Sequence, residues 1–270
     1  MATDHSRYEP YDDLHKSVGT FDGGACLYPH PPAYYYIQRN SCSYRWQAHH
    51  RANGPDKALY GEMSGQFRSF SPTHAANLFE YRALAAPPGP VGPSGLQKVK
   101  GLPFRTAFAP WPNNAHHLIP DAQLMNGIFD LAADLPAIQE TIVQGLLKSP
   151  YNLHHWKNMM ILPLDPKQGC ALGLPTHPQG DTHPAYNIEV RTGVDEALSP
   201  YKAVIKQVAD KEKEHEVVDP VDIKEALEAL SDALHTSLIA LKPEILGACA
   251  KDEDISLGAM TQFITTSPGA

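Results

Sequence analysis

Ala115-His116-His117-Leu118-Ile119-Pro120 is the stretch of this chain best suited to chemistry. Two adjacent histidines sit between a small residue and an apolar run closed by proline. On an extended strand, neighbouring side chains point to opposite faces. One imidazole can then hold a metal ion while the next faces a substrate. The sequence leaves open which of His116 and His117 takes which side. The chemistry that suits this spacing is metal-assisted hydrolysis.

Further histidines follow in order: His154, His155, His177 and His183. Asn158 lies between the two outer pairs, directly before Met159-Met160-Ile161-Leu162-Pro163. A divalent ion is held by neutral imidazoles or carboxylates. A general base needs its own imidazole, near the ion but not on it. An asparagine amide can join two backbone segments and hold a hairpin. His154 and His155 have no clear place in this order and are expected in packing or at the surface. Asp181 reads as a turn residue ahead of His183. Ala48-His49-His50 repeats the Ala-His-His string, but Arg51-Ala52-Asn53-Gly54 follows it where an apolar strand would be needed. It reads as a chance copy.

These side chains need elements to position them. His116 to Ile119 reads as a short strand and Met159 to Pro163 as a second. Pro136 suits a first helical turn, with Ile138, Ile142, Val143, Leu146 and Leu147 on one face. His183-Pro184 reads as a helix start, and Tyr186 falls one turn further on. Asp219-Pro220 opens another helix, in which Ile223, Leu227, Leu230, Leu234, Leu238 and Leu241 recur at three and four residues. Pro243 ends or kinks it. Upstream, Tyr34–Ile37 and Cys42–Trp46 read as short aromatic strands. Ser71-Pro72 opens a helix to about Leu84, and Ala85–Gly95 reads as a linker. The expected class is α+β in three parts. Residues 1–110 are loop-rich with a delivery or docking role, 111–192 carry the chemistry, and 193–270 form an acidic helical extension packed on the core.

The string AHHLIP, Asn158 ahead of a Leu-Pro, His177, His183-Pro184 and Tyr186 together resemble the AHH branch of the HNH/endonuclease VII nuclease superfamily. The resemblance covers roughly 111–192. It implies a small ββα-metal (His-Me finger) nuclease core; the irregular N-terminal region and the helical C-terminal extension around that core are read from the residues themselves. It implies His116, His177 and His183 as ligands of a divalent ion, whether Mg, Mn, Ni or Zn. It implies His117 as the base that activates water and Asn158 as the residue that fixes the hairpin. Tyr186 would support the phosphate or the site geometry. An exchange of roles between His116 and His117 stays open. Many members of the family are toxin domains of secreted bacterial effectors. The implied function is a DNase toxin delivered to competing bacteria through a secretion system. A cognate immunity protein and a secretion-system component or adaptor would be its partners. The alternatives are an RNase, a nuclease with no toxin role, and an inactive binding module of the same fold. Base and ligands must be neutral imidazoles, so activity is expected to fall below a pH of about 6.

Composition sets the frame. The chain has 270 residues, 42% of them hydrophobic, which places it among globular chains. No run is long enough for a bilayer span. Met1 to Ser6 lack the basic start of a signal peptide. The expectation is a protein cytoplasmic in its producer, delivered into the target-cell cytoplasm, with no membrane partner. A net charge of −8 looks wrong for a nucleic-acid binder, but it is unevenly spread. From Arg39 to Arg105, nine Lys/Arg stand against three acids; from Asp195 to Asp254, seven Lys stand against fifteen acids. Arg45 with Trp46, and Arg68 with Phe67 and Phe70, set cations beside aromatics, which suits phosphates and unpaired bases of DNA or RNA. The acidic helices could shield the site or dock a neutralising partner. Cys26, Cys42, Cys170 and Cys249 form no Cys-x-x-Cys. A Cys26–Cys42 bridge and reduced, buried thiols both fit, and the second is the expectation carried forward.

Overall fold

The order of elements follows the chain. β1 (His15–Lys16) and β2 (Ala25–Cys26) precede two helices, α1 (Tyr44–Asn53) and α2 (Lys57–Gly61). β3 (Gln66–Arg68), β4 (Leu96–Lys98) and β5 (Asn113–His117) follow, then α3 (Asp121–Leu131) and α4 (Pro136–Lys148). A 3₁₀ turn (Trp156–Asn158) leads into β6 (Met159–Pro163) and α5 (Pro166–Leu172). The chain ends in α6 (Pro184–Ala197), α7 (Tyr201–Ala209), α8 (Pro220–Ala240), α9 (Lys242–Ala250) and α10 (Leu257–Ile264). This computed structural model describes residues 14–16, 24–28, 41–61, 66–68, 96–98, 104, 111–177, 183–210 and 217–264. The Tyr34–Ile37 strand, the 71–84 helix, the 85–95 linker, Asp181 and Phe70 lie outside the described residues, as do the side chains of Phe67 and Arg68.

The class is α+β: three two-stranded antiparallel sheets among helices. The pair that matters is β5 with β6, in a register that sets His116 opposite Met160 and His117 opposite Met159. Every residue of β6 is buried, as a continuous apolar run predicts for a strand covered on both faces. α1 lies across both strands, and α5 packs beside β6. The first strand sits earlier than expected. It ends at His117, not Ile119, because the Leu118 amide turns to the Asn158 carbonyl and the Ile119 amide to the Asn158 side chain.

Three of the proline-marked helix starts fall on described residues, and all three hold. Pro136, Pro184 and Pro220 each occupy a first-turn position, where a missing N–H costs nothing. α4 buries Ile142, Val143, Leu146 and Leu147. α8 buries Ile223, Leu227, Leu234 and Leu238, and Asp219 caps it through the Val221 amide. Its end at Ala240 and the restart at Lys242 fit the break read from Pro243. α5 ends at Gly173 in the left-handed region (φ +68°), where a Cβ would run into the Lys242 side chain. No helix among the described residues is long and apolar enough to cross a membrane.

Two expectations are corrected. Cys42–Trp46 is not a strand; α1 begins at Tyr44. Its aromatic density suggests β structure, but tertiary hydrogen bonds decide. Arg51 Nη1 donates to the carbonyls of Trp156, Lys157 and Met159, and the Trp156 amide donates to Gln47. The buried side of α1 is therefore largely polar and carries no apolar helical period. The second correction concerns the thiols. Cys26 and Cys42 are reduced and buried as expected, but Cys170 and Cys249 form a disulfide that joins α5 to α9 across 79 residues. Closing a loop of this length stabilises by about 4 kcal/mol in the chain-entropy view.

Candidate metal centre

His116 is the penultimate residue of β5, His177 follows the α5 turn and His183 caps α6. Their side chains are brought together and buried, with residues only 3–6% exposed. One donor atom from each lies within 4.8 Å of the others. The ring centroids form a near-equilateral triangle of 5.2, 5.3 and 5.5 Å. Three imidazoles on a tetrahedral ion with bonds of about 2.1 Å have centroids about 5.3 Å apart. The rings thus stand at coordination spacing, and ring rotation is the adjustment that remains.

The chemistry of the donors fits a cation. His116 Nε2 is buried and has no hydrogen-bond partner among the described residues. An orphaned buried nitrogen costs about 1–3 kcal/mol unless something occupies its lone pair. Burial, helped by the neighbouring His177, His183 and His117, holds His116 well below the usual histidine range. It is therefore neutral, as a ligand must be. His183 Nδ1 lies 3.0 Å from Asn187 Oδ1, an acceptor, so Nδ1 carries the proton and Nε2 the lone pair. Asn114 Nδ2 donates to His177 Nδ1 at 3.2 Å, which leaves the His177 proton on Nε2; turning the Asn114 amide over, so that Oδ1 accepts from Nδ1, gives His177 the tautomer a ligand needs. A buried triad able to bind a metal ion is thus a property of this fold.

Strand alternation settles the outlook of the two neighbours. His116 faces His177, His183 and Tyr186. His117 faces the other way, 5.3 Å from the Tyr44 ring and 5.1 Å from the His154 ring. It is half-buried and not part of the triad. Its Nε2 lies 2.9 Å from His154 Nδ1, and His154 Nε2 lies 2.8 Å from the Tyr28 carbonyl.

Asn158 ties the site together. Its Nδ2 donates to the Ile119 and Leu153 carbonyls, and its Oδ1 accepts from the Ile119 amide and the Ser231 hydroxyl. The end of β5, the turn before β6 and α8 meet on one amide. Tyr186 is fully enclosed, and its hydroxyl donates to the Leu118 carbonyl. Its ring walls the triad at 5.2 Å from His116 and 5.3 Å from His183. Of the residues singled out in the sequence, His116, His177, His183 and Tyr186 are gathered around one point. His117 lies on the opposite face of the same strand, and Asn158 beneath its end.

Ala48-His49-His50 lies on α1, with His49 buried and its Nε2 without a hydrogen-bond partner among the described residues. Burial, with the Arg45 charge adding to it, pushes His49 down to about 3. An unfolded histidine titrates near about 6.5. Below that value the unfolded chain binds a proton that the folded protein does not, so stability falls as the pH drops from about 6.5 towards 3. His49→Gln is expected to lower the slope of stability against pH by up to about 1.4 kcal/mol per unit in this window. Urea denaturation at a series of pH values measures it, and an unchanged slope would refute the assignment. Arg45 beside it is also buried, its guanidinium 6.0 Å from the Tyr44 ring, while Trp46 stacks on His50 at 5.9 Å.

Several contributors were missed in the sequence, and some left a signal there. Asn187 is four residues after His183, one helical turn away. Asn114 is two before His116, on the same strand face. His154 precedes Asn158 by four residues, a spacing that by itself points only to packing or the surface. Ser231 and Tyr44 left no local signal, because their contacts span 73 residues in both cases. Comparison of the chain with family models, curated proteins and solved structures found no match.

Proposed function

We propose that this chain is a metal-dependent endonuclease of the ββα-metal kind, acting on phosphodiester bonds and on DNA first. The observation that carries the reading is the buried His116–His177–His183 triad, with a further histidine, His117, beside it on the opposite strand face. The β5–β6 pair, with α6 and its histidine cap coming after the short helix α5, supports the ββα description. In this chain α3 and α4 are inserted between the two strands.

His116, His177 and His183 would hold a divalent ion. When bound, such an ion supplies Lewis-acid stabilisation of charge on the scissile phosphate and the leaving oxygen. His117 takes a proton from the attacking water. Asn158 keeps the end of β5 in place, so that His117 holds its aim. Tyr186, its hydroxyl committed to Leu118, serves site geometry by walling the triad. The setting that goes with this reading is a DNase toxin delivered to competing bacteria and restrained by an immunity protein. The histidine and asparagine order supports that setting.

One observation favours a second reading. Structural metal sites are closed, whereas catalytic ones keep an open position, and all three triad residues are buried. A binding module with a structural ion would look the same at this point. Calorimetry with Zn²⁺, Ni²⁺, Mn²⁺ and Mg²⁺, run beside cleavage of plasmid DNA and of RNA, separates the two. Wild type is expected to bind one ion and to nick plasmid only when metal is present. His116→Ala should weaken binding about 100-fold or more, beyond the loss typical of groups that merely orient a ligand. Ion binding without cleavage of either substrate by wild type would leave the structural site and remove the enzyme.

A further inference from the structure

The imidazole proposed as base does not stand alone. His117 Nε2 is 2.9 Å from His154 Nδ1, and His154 Nε2 is 2.8 Å from the Tyr28 carbonyl oxygen. This chain of two rings and one carbonyl has only one consistent set of protons when both rings are neutral. A carbonyl oxygen can only accept, so His154 Nε2 carries the hydrogen. A neutral imidazole has one N–H, so His154 Nδ1 is the acceptor. His117 Nε2 must then donate to it, and the lone pair of His117 resides on Nδ1. A doubly protonated His154 would reverse the assignment on His117, but it would place a charge on a residue 1% exposed.

The holder is itself held. The His154 amide donates to Asn152 Oδ1, and Asn152 Nδ2 donates to the Ser41 carbonyl. The segment leading to Tyr28 is pinned to the same turn, since the Cys26 amide donates to Tyr151 and the Leu153 amide to the Cys26 carbonyl. Both ends of the His154 bridge therefore belong to one hydrogen-bonded unit. The Tyr44 ring, 6.1 Å from His154 and 5.3 Å from His117, covers both imidazoles.

The geometry points to His154 as a positioning residue that, backed by the Tyr28 carbonyl, holds His117 in the tautomer with its lone pair on Nδ1. The inference rests on the nuclease reading for its functional meaning, since that reading makes His117 the base. The bond pattern itself does not depend on it. Sequence order points to packing or the surface for His154; here it decides which nitrogen of its neighbour can accept a proton.

The test uses the full chain, metal-free and labelled with ¹⁵N-histidine, in long-range ¹H–¹⁵N correlation spectra at neutral pH. His117 signals are assigned by their loss in His117→Gln. Wild type is expected to show His117 protonated on Nε2. His154→Asn keeps an acceptor oxygen where Nδ1 was and is expected to preserve that form. His154→Leu fills the space without an acceptor and is expected to redistribute His117 between its two tautomers. His117 protonated on Nδ1 in wild type overturns the inference, whether or not the leucine variant folds. So does an unchanged tautomer in a folded His154→Leu protein. In plasmid cleavage, His154→Leu should lower kcat about 10- to 100-fold with KM and ion affinity unchanged, and His154→Asn should recover most of it. Absence of cleavage by wild type would instead remove the nuclease reading, and the tautomer result would stand by itself.

Discussion

His117→Ala is expected to lower metal-dependent plasmid cleavage about 10²- to 10⁴-fold, the range contributed by a positioned general base. Ion affinity should stay within about threefold of wild type, because His117 lies outside the triad and on the other face of β5. The contrast with His116→Ala gives the result its meaning. One variant should keep the ion and lose the chemistry, and the other should lose both. The alanine leaves the His154 Nδ1 acceptor without its neighbour, a cost of about 1–3 kcal/mol, so thermal unfolding should accompany the assay. Parallel calorimetry and initial-rate measurements decide the matter. A His117→Ala protein that cleaves at the wild-type rate would remove His117 from the mechanism. One that is folded but no longer binds the ion would place it among the ligands instead.

Asn158→Ala carries the largest expected effect on stability. The substitution deletes four hydrogen bonds made by a side chain whose residue is 3% exposed. It strands the Ile119 amide and two carbonyls in a region closed to water, while the Ser231 hydroxyl keeps the Leu227 carbonyl. One orphaned buried group costs about 1–3 kcal/mol, so a loss of about 3–5 kcal/mol is expected even after partial relaxation. Ser231→Ala should cost only about 1 kcal/mol, because the amide retains its three backbone contacts. Equilibrium denaturation of the two variants measures the difference. Equal, small losses would mean that the amide is not the fastening of the hairpin.

The helices were legible because their signals are local. Proline at a first turn and apolar residues at three and four spacing placed α4, α6 and α8 near their observed bounds. β6 was legible as an apolar run flanked by Asn158 and Pro163. α1 was not, since its buried residues include Arg45, Gln47, His49 and Arg51, which have no apolar period. Gln47 meets Trp156 and Arg51 meets the Lys157 carbonyl, each more than 100 residues away. The Cys170–Cys249 bridge was illegible for the same reason: pairing across 79 residues depends on how α5 meets α9.

His116 and His117 show the division most clearly. Sequence alone determined that two adjacent imidazoles on an extended segment must look in opposite directions, because the strand has a period of two. It also supplied His177, His183 and Asn158 at separations that a hairpin and a helix start can bring near them. Only the tertiary structure decided which imidazole joins the triad. Alternation fixes that two faces differ but not which elements cover each face. Here the α6 cap and the end of the α5 turn close over His116, while Tyr44 and His154 close over His117. That covering also buries His116 as a neutral donor and, through His154 and the Tyr28 carbonyl, sets the proton on His117.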